Sequence, residues 1–146
     1  MIKRKGFTLI ELMVVIFIVG ILAAVAIPIM RGRIDAAKWS EGRSAMGSIR
    51  TAARALIAEK GNDWAFSGLN GTLDAAVTYN GLGFAANDLD GRYFGQDDYA
   101  IAFVDGVGGA PPTYTITCTA DAAYGAGEAP SSPAAMTLDQ AGTFLP

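Results

Sequence analysis

Glu11 has the most unusual setting of any chemically active residue in this sequence, because it stands directly before an uncharged apolar run. Residues 12–30 contain no Asp, Glu, Lys or Arg, and nineteen residues is about the length needed to cross a hydrocarbon core as a helix. A carboxylate in such a helix costs about 2.5–3.5 kcal/mol on insertion scales. Glu11 therefore needs either a cationic partner or a position at the membrane edge, where its side chain can reach water.

A second group of acids lies in the C-terminal part of the chain. Asp88 and Asp90 fall in the run NDLDG at residues 87–91, and Asp97 and Asp98 follow closely. The D-x-D-G spacing is typical of calcium loops, but the later ligand positions of an EF-hand are missing. Two interpretations follow: a weak calcium site formed by these four aspartates, or a solvated acidic loop with no metal.

The lack of histidine and the single cysteine exclude several classes of site. The sequence has no histidine and one cysteine, Cys118. A Cys/His metal site, a His-based catalytic triad and a disulfide within these 146 residues cannot be formed. The alternation around Cys118 favours a small buried hydrophobic side chain over a reactive thiol. No enzymatic activity and no cofactor are expected.

Charge is divided unevenly along the chain. Ten of the eleven Lys and Arg residues lie within the first sixty positions, whereas residues 61–146 hold Arg92 against ten acids, a net charge of −9. So acidic a segment repels phosphate backbones, and no nucleic-acid binding is expected of it.

The elements that must position Glu11 begin with one long helix over residues 7–60. Residues 7–30 are apolar all round, whereas residues 31–60 are amphipathic. The helical spacing places one apolar stripe on a single face, and this stripe consists of Trp39, Met46, Ile49, Ala53 and Leu56. Such a helix would be roughly 80 Å long, so part of it is expected to protrude from any head formed by residues 61–146.

The head, residues 61–146, carries the pattern of a small antiparallel β-meander. Strands are predicted over residues 99–104 and 113–119, joined by a reversal at 106–112, with a further strand over 136–139 that could continue to Phe144. One short helix is predicted near residues 73–77, within a long loop. The fold class is therefore α+β, with the amphipathic half of the long helix packed on the sheet like the handle and bowl of a ladle.

The N-terminal stretch KGFTLIELMVVIFIVGILAAVAIP, residues 5–28, resembles the type IV pilin and type II secretion pseudopilin family. The resemblance covers about residues 3–60 and is specific at the start. It combines a basic leader (Lys3, Arg4 and Lys5), Gly6, Phe7, the lone acid Glu11, and then Gly20 and Pro28 within the apolar helix.

The resemblance implies that residues 1–6 are a leader, which prepilin peptidase removes between Gly6 and Phe7 before methylating the new N-terminus. The exposed amine on Phe7 would then pair with Glu11, within one chain or between neighbours, and set the register of a polymer. Gly20 and Pro28 would let the helix extend or bend during packing, although membrane helices also tolerate both residues without any such role.

The resemblance also implies the partners and location of the protein. The precursor is expected in the bacterial inner membrane, where an assembly platform adds it to a homopolymeric extracellular pilus that serves adhesion or motility. The same resemblance allows two alternative functions. One is a pseudopilin in a periplasmic fibre of a type II secretion system, and the other is a minor pilin with a binding head.

The N-terminus and the loops allow other interpretations. Ala24-Val25-Ala26 mimics the cleavage site of a secretory signal peptide, but Glu11 and Pro28 argue against it; a simple membrane anchor is another alternative. Many pilins close their C-terminal region with a disulfide. This chain departs from that pattern, because Cys118 has no partner cysteine. Asn70-Gly71-Thr72 fits the N-glycosylation pattern, and Ser131 and Ser132 could carry O-linked sugar.

Overall fold

The computed structural model describes residues 6–120 and 129–146. Its elements follow one another as helix α1 (Leu9–Lys60), a 3₁₀ turn (Phe66–Leu69), strand β1 (Gly71–Thr72), helix α2 (Ala76–Gly81), a second 3₁₀ turn (Gln96–Asp98), and strands β2 (Tyr99–Val104), β3 (Thr113–Thr119), β4 (Ala135–Asp139) and β5 (Phe144–Leu145). The α+β class predicted from the sequence is confirmed.

The chain divides into two compact units, Met1–Ile34 and Asp35–Pro146. In the first unit, every described residue is exposed. Helix α1 contains a segment long and apolar enough to cross a membrane, by length and composition alone. The leader residues Lys3, Arg4 and Lys5 lie outside the described residues. That the apolar half protrudes from the head stays a prediction.

In the second unit, α1 buries one stripe along its length. The buried residues are Trp39, Gly42, Met46, Ile49, Ala53 and Leu56, which confirms the predicted face and adds Gly42 to it. The helix ends at residue 60, as the sequence predicted. Lys60 is its last residue, and Gly61 adopts φ 78° while its amide donates to the Ile57 carbonyl at 2.9 Å, the geometry of a left-handed cap.

The head contains a five-stranded antiparallel sheet whose strand order is the chain order, β1-β2-β3-β4-β5. Tyr99 pairs with Cys118 and Ile101 with Ile116. Because successive side chains in a strand point to opposite faces, these pairs lie on one face. That face is buried: all of Tyr99, Ile101, Ile116 and Cys118 are almost inaccessible.

The core is completed by residues from the segment between helix and sheet. Phe66, Leu73 and Phe94 are fully buried. The Phe94 ring lies 4.9 Å from the Trp39 ring and 6.2 Å from the Tyr99 ring, measured between centroids. Aromatic contacts of this length stabilise a core beyond the area that they bury, so this segment is an integral layer between α1 and the sheet.

Two sequence predictions need correction in this segment. The short helix predicted near residues 73–77 lies instead at Ala76–Gly81, because Leu73 is drawn into the core and its amide donates to the Tyr99 carbonyl at 2.8 Å. The rest of this segment was predicted to be a loop, but it also contains β1 and two 3₁₀ turns. A two-residue strand is too short to show alternation, and pairing with β2 defines it.

Candidate assembly site and the attachments of the head

Thr8 and Glu11 together cap the start of α1. The Glu11 amide donates to Thr8 Oγ1 at 3.3 Å, and the Thr8 hydroxyl donates to Glu11 Oε2 at 3.4 Å. The first contact is half of a capping box, in which a threonine before the helix accepts from the amide three residues later. An acid in the first turn is also favoured by the helix dipole. Thr8 was missed as a site residue, although the T-x-x-E spacing is visible in the sequence.

The capping geometry places Glu11 one turn after Phe7. Phe7 precedes the helix and its side chain is 73% exposed. Gly6 is also exposed, and a Cβ added there would meet nothing within 4 Å. The Gly6–Phe7 bond is therefore sterically open in this structure, and the Glu11 carboxylate makes no described contact beyond Thr8.

Gly20 and Pro28 lie farther along the same helix and are not brought near Glu11. A Cβ added at Gly20 would meet nothing within 4 Å. Helix α1 continues through Pro28 without interruption, even though proline removes one backbone donor and crowds the preceding turn. The predicted assembly residues are thus distributed along one exposed apolar helix, and their roles in packing stay predictions.

The C-terminal segment is attached without a disulfide. Strand β4 pairs with β3, β5 pairs with β4, and the Ser131 hydroxyl donates to Asp35 Oδ2 at 2.7 Å. The hydrogen bond from Ser131 holds the pKa of Asp35 below its ordinary value. Cys118 is fully buried, and burial raises the pKa of its thiol to about 12. The interpretation of Cys118 as a buried hydrophobic side chain is confirmed.

Glu41 ties the segment before β2 to α1, and sequence reasoning did not single it out. Its Oε1 accepts from the Tyr93 amide at 2.8 Å and from the Phe94 amide at 3.2 Å. A Cβ at Gly91 would collide with this carboxylate. The pattern of an isolated acid on the rim of an apolar helical stripe is the signal that could have found it.

The four aspartates of the calcium hypothesis mostly bind backbone amides. Asp88 Oδ2 accepts from the Ala85 amide at 2.8 Å, Asp90 Oδ1 from Gln96 at 2.7 Å and Asp98 Oδ2 from Gly95 at 2.8 Å, whereas Asp97 is exposed. Among the described residues, no group of three or more His, Cys, Asp or Glu side chains is arranged to hold a metal ion. These bonds favour the solvated acidic loop, and calcium stays a weak prediction.

Comparison with known proteins matches residues 1–27 to the prokaryotic N-terminal methylation motif. The type IV major fimbrial protein FimA of Dichelobacter nodosus is 37% identical over 101 residues, which cover 68% of this chain and 62% of FimA. The fimbrial protein EcpB of Eikenella corrodens is 46% identical over 61 residues, 42% of this chain and 38% of EcpB.

A secretion protein is similar as well. The type II secretion system core protein G of Pseudomonas aeruginosa is 41% identical over 75 residues, which cover 51% of each chain. In these three alignments the chain spans between 38% and 62% of the relative's length. No solved structure matches.

A methylation motif on a long, exposed apolar helix, followed by a helix-backed antiparallel sheet, defines a pilin-like protein. The methylation motif and the similarity to both major fimbrial proteins and a secretion core protein support the type IV pilin and type II secretion pseudopilin family that the N-terminal residues resemble.

Proposed function

We propose that this protein is a structural subunit of a type IV pilus. It is inserted in the inner membrane as a precursor, cleaved after Gly6, methylated at Phe7, and polymerised through the apolar half of α1. The observation that carries the proposal is the exposure of that half: every described residue of 6–34 is exposed, next to a methylation motif.

The apolar half is unsuited to water. Fully burying one large aliphatic side chain contributes about 1.5–3 kcal/mol relative to leaving it exposed, and residues such as Leu9, Ile16, Phe17 and Leu22 are between 62% and 77% exposed. A bilayer before assembly and other copies of the helix afterwards would each supply the missing apolar environment. One surface would therefore serve both states.

The position of Glu11 supports a specific docking step. Cleavage after Gly6 would place a cationic amine on Phe7, one helical turn from the Glu11 carboxylate of the same chain or facing that of a neighbour. In an apolar filament core, a paired amine and carboxylate are tolerated, whereas an unpaired carboxylate is strongly unfavourable. The pair would therefore select one axial register between subunits.

A pseudopilin of a type II secretion system is the second candidate. The similarity to core protein G favours it specifically. The N-terminal half would work in the same way in both machines, so the two functions differ in where the polymer accumulates.

N-terminal mass spectrometry on the sheared extracellular fraction and on the membrane fraction tests the proposal. A chain that starts at methylated Phe7 and is abundant in sheared filaments is expected. The same processed chain restricted to the membrane would favour the pseudopilin or a rare minor subunit. A chain starting at Met1 or Ile27 in both fractions would overturn the family of functions altogether. A Gly6→Val variant should abolish processing, whereas Gly20→Ala, its matched control, should leave it unchanged.

A further inference from the structure

Three arginines on α1 face the C-terminal edge of the sheet without a carboxylate partner. Arg43 Nε donates to the Met136 sulfur at 3.4 Å, and Arg50 Nη2 donates to the Gln140 carbonyl at 3.1 Å. Arg54 is exposed. Among residues 6–120 and 129–146, none of the three forms a salt bridge. Among the described residues, no carboxylate is therefore within salt-bridge distance of these guanidinium groups.

Arg54 lies at a cavity of about 590 Å³ between the end of α1 and two loops of the sheet. Its lining is mostly apolar or neutral, and consists of Ile57, Ala58, Gly61, Asn62, Pro111, Pro112, Tyr114, Gln140 and Ala141. No acidic side chain lines it. We call it the basic cavity.

A buried phenol forms part of the wall of the basic cavity, with Arg50 beside it. Tyr114 is 4% exposed, and its hydroxyl and the neighbouring Arg50 Nε are buried without a well-formed hydrogen bond to a described residue. Burial raises the pKa of Tyr114 and the charge of Asp139 raises it further, whereas the charges of Arg50 and Arg54 and the approach of Arg50 to the phenol oxygen lower it by less. A neutral phenol beside two guanidinium groups suits a ligand that supplies acceptors, such as a carboxylate.

The head carries the complementary feature elsewhere. Asp74, Asp90 and Asp97 line a second cavity of about 340 Å³, together with Tyr79, Ala86, Asn87 and Gln96. No cationic side chain lines it, and all three aspartates are exposed. We call it the acidic cavity. Asp97 precedes the first residue of β2, whereas Tyr114 and Gln140 lie at the end of the sheet where β2 finishes, so the two cavities are at opposite ends of the strands.

We propose that the basic cavity of one head binds the acidic loop around Asp97 of a second copy, a contact that rests on the proposed function as a filament subunit. A two-fold dimer would need both cavities on the same face, because each contact between two residues is then made twice. Cavities at opposite ends of the sheet do not meet this condition. They fit a head-to-tail contact, and repeating such a contact generates a helical polymer when it does not close. The heads would thereby add a salt-sensitive contact to the apolar one made by α1.

Charge reversal tests the contact in filaments of the full chain. Arg54→Glu and Asp97→Lys should each lower the yield of sheared filaments by about fivefold or more, because like charges then meet. The double variant with both changes should recover most of the yield. Lys60→Glu and Glu59→Lys are the matched controls, since they make the same charge changes outside both cavities and should have little effect.

Cysteine cross-linking tests the same contact by proximity. A chain with Arg54→Cys and Asp97→Cys should form a ladder of disulfide-linked multimers when oxidised in the filament, whereas either change alone should not. Buried Cys118 is not expected to take part. Protease resistance of the head in the membrane fraction identifies any variant that fails to fold, and the ladder then decides the question.

The outcomes separate the two proposals. If the unaltered chain forms no filament, the proposed function fails. If filaments form but yield is insensitive to charge reversal and no ladder appears, the head contact is wrong. If Arg54→Glu lowers yield without rescue by Asp97→Lys, the basic cavity binds another acidic partner and the pairing proposed here is overturned.

Discussion

Helix α1 has two regions that differ in the exposure of their apolar side chains. Up to Ile34, large apolar residues point in all directions and remain exposed, as Phe17 does at 74%. From Trp39 onward, the apolar residues form one stripe and are buried, as Trp39 is at 99%. In the second region, contacts within the head bury the apolar stripe. The first is not covered by any other described part of the chain, and this exposure is the physical basis of the proposed membrane insertion and polymerisation.

The largest difference between the two regions is expected at Glu11. Glu11→Ala should lower filament assembly at least about tenfold, because leaving a charged partner unpaired in a buried pair costs about 3–5 kcal/mol. The measurement is the ratio of sheared to total processed chain. Glu59→Ala removes an exposed acid from the same helix and should leave that ratio unchanged. Normal assembly of the Glu11 variant would show that docking does not require this carboxylate.

Truncating an apolar residue should affect head stability only in the second region. Met46 is completely buried, so Met46→Ala should lower the free energy of unfolding by about 2–5 kcal/mol. Val14→Ala shortens an exposed side chain of the first region and should leave that free energy unchanged. Thermal unfolding of both variants in detergent provides the comparison. Equal losses would mean that the first region stabilises the head directly.

Two glycines of α1 sharpen the comparison within the second region. A Cβ at Gly42 would lie 3.2 Å from atoms of both the Phe94 and Trp39 rings, whereas a Cβ at Gly47 would meet nothing within 4 Å. Gly42→Ala should destabilise the head by about 1–3 kcal/mol through overpacking. Gly47→Ala should be neutral or stabilise it by up to about 1 kcal/mol, because alanine favours the helix. A stabilising Gly42→Ala would show that the aromatic pair can move apart.

The smallest expected effect is the pH dependence that Cys118 gives the head. Its folded pKa of about 12 exceeds the ordinary 9.0, so its contribution to stability is complete below pH 9 and is lost as pH rises from 9 toward 12. Denaturation at pH 8 and pH 10 should differ by about 1 kcal/mol from this group. Cys118→Ala should reduce the difference. Rapid alkylation of the thiol in the folded protein at pH 8 would contradict its burial.

The elements with strong periodicity were predictable from the sequence. The buried stripe of α1 follows helical spacing over five residues, and β2 and β3 coincide with the predicted runs at 99–104 and 113–119. The predicted helix end at residue 60 is also observed, and Gly61 follows it with a left-handed φ that suits a residue without a Cβ. Local pattern and tertiary packing agree at all of these positions.

The segment between helix and sheet was not predictable in the same way. Phe66, Leu73 and Phe94 are buried, but they are too widely spaced to form a periodic pattern. Their positions depend on tertiary contacts, including the Glu41 carboxylate and the Trp39 ring. The Glu11 and Phe7 interpretation came from a resemblance, since periodicity alone gives a carboxylate in this position no partner.

The chain-order arrangement of the sheet has a consequence for how the head folds. Each strand pairs with the strands next to it in sequence, and the β2–β3 hairpin closes between Val104 and Thr113. Short loops close at low entropic cost and local topologies fold quickly. Contacts such as Arg43 with Met136 join residues 93 positions apart. We therefore expect the β2–β3 and β4–β5 hairpins to form early, and α1 to pack fully onto the sheet only when β4 has paired with β3.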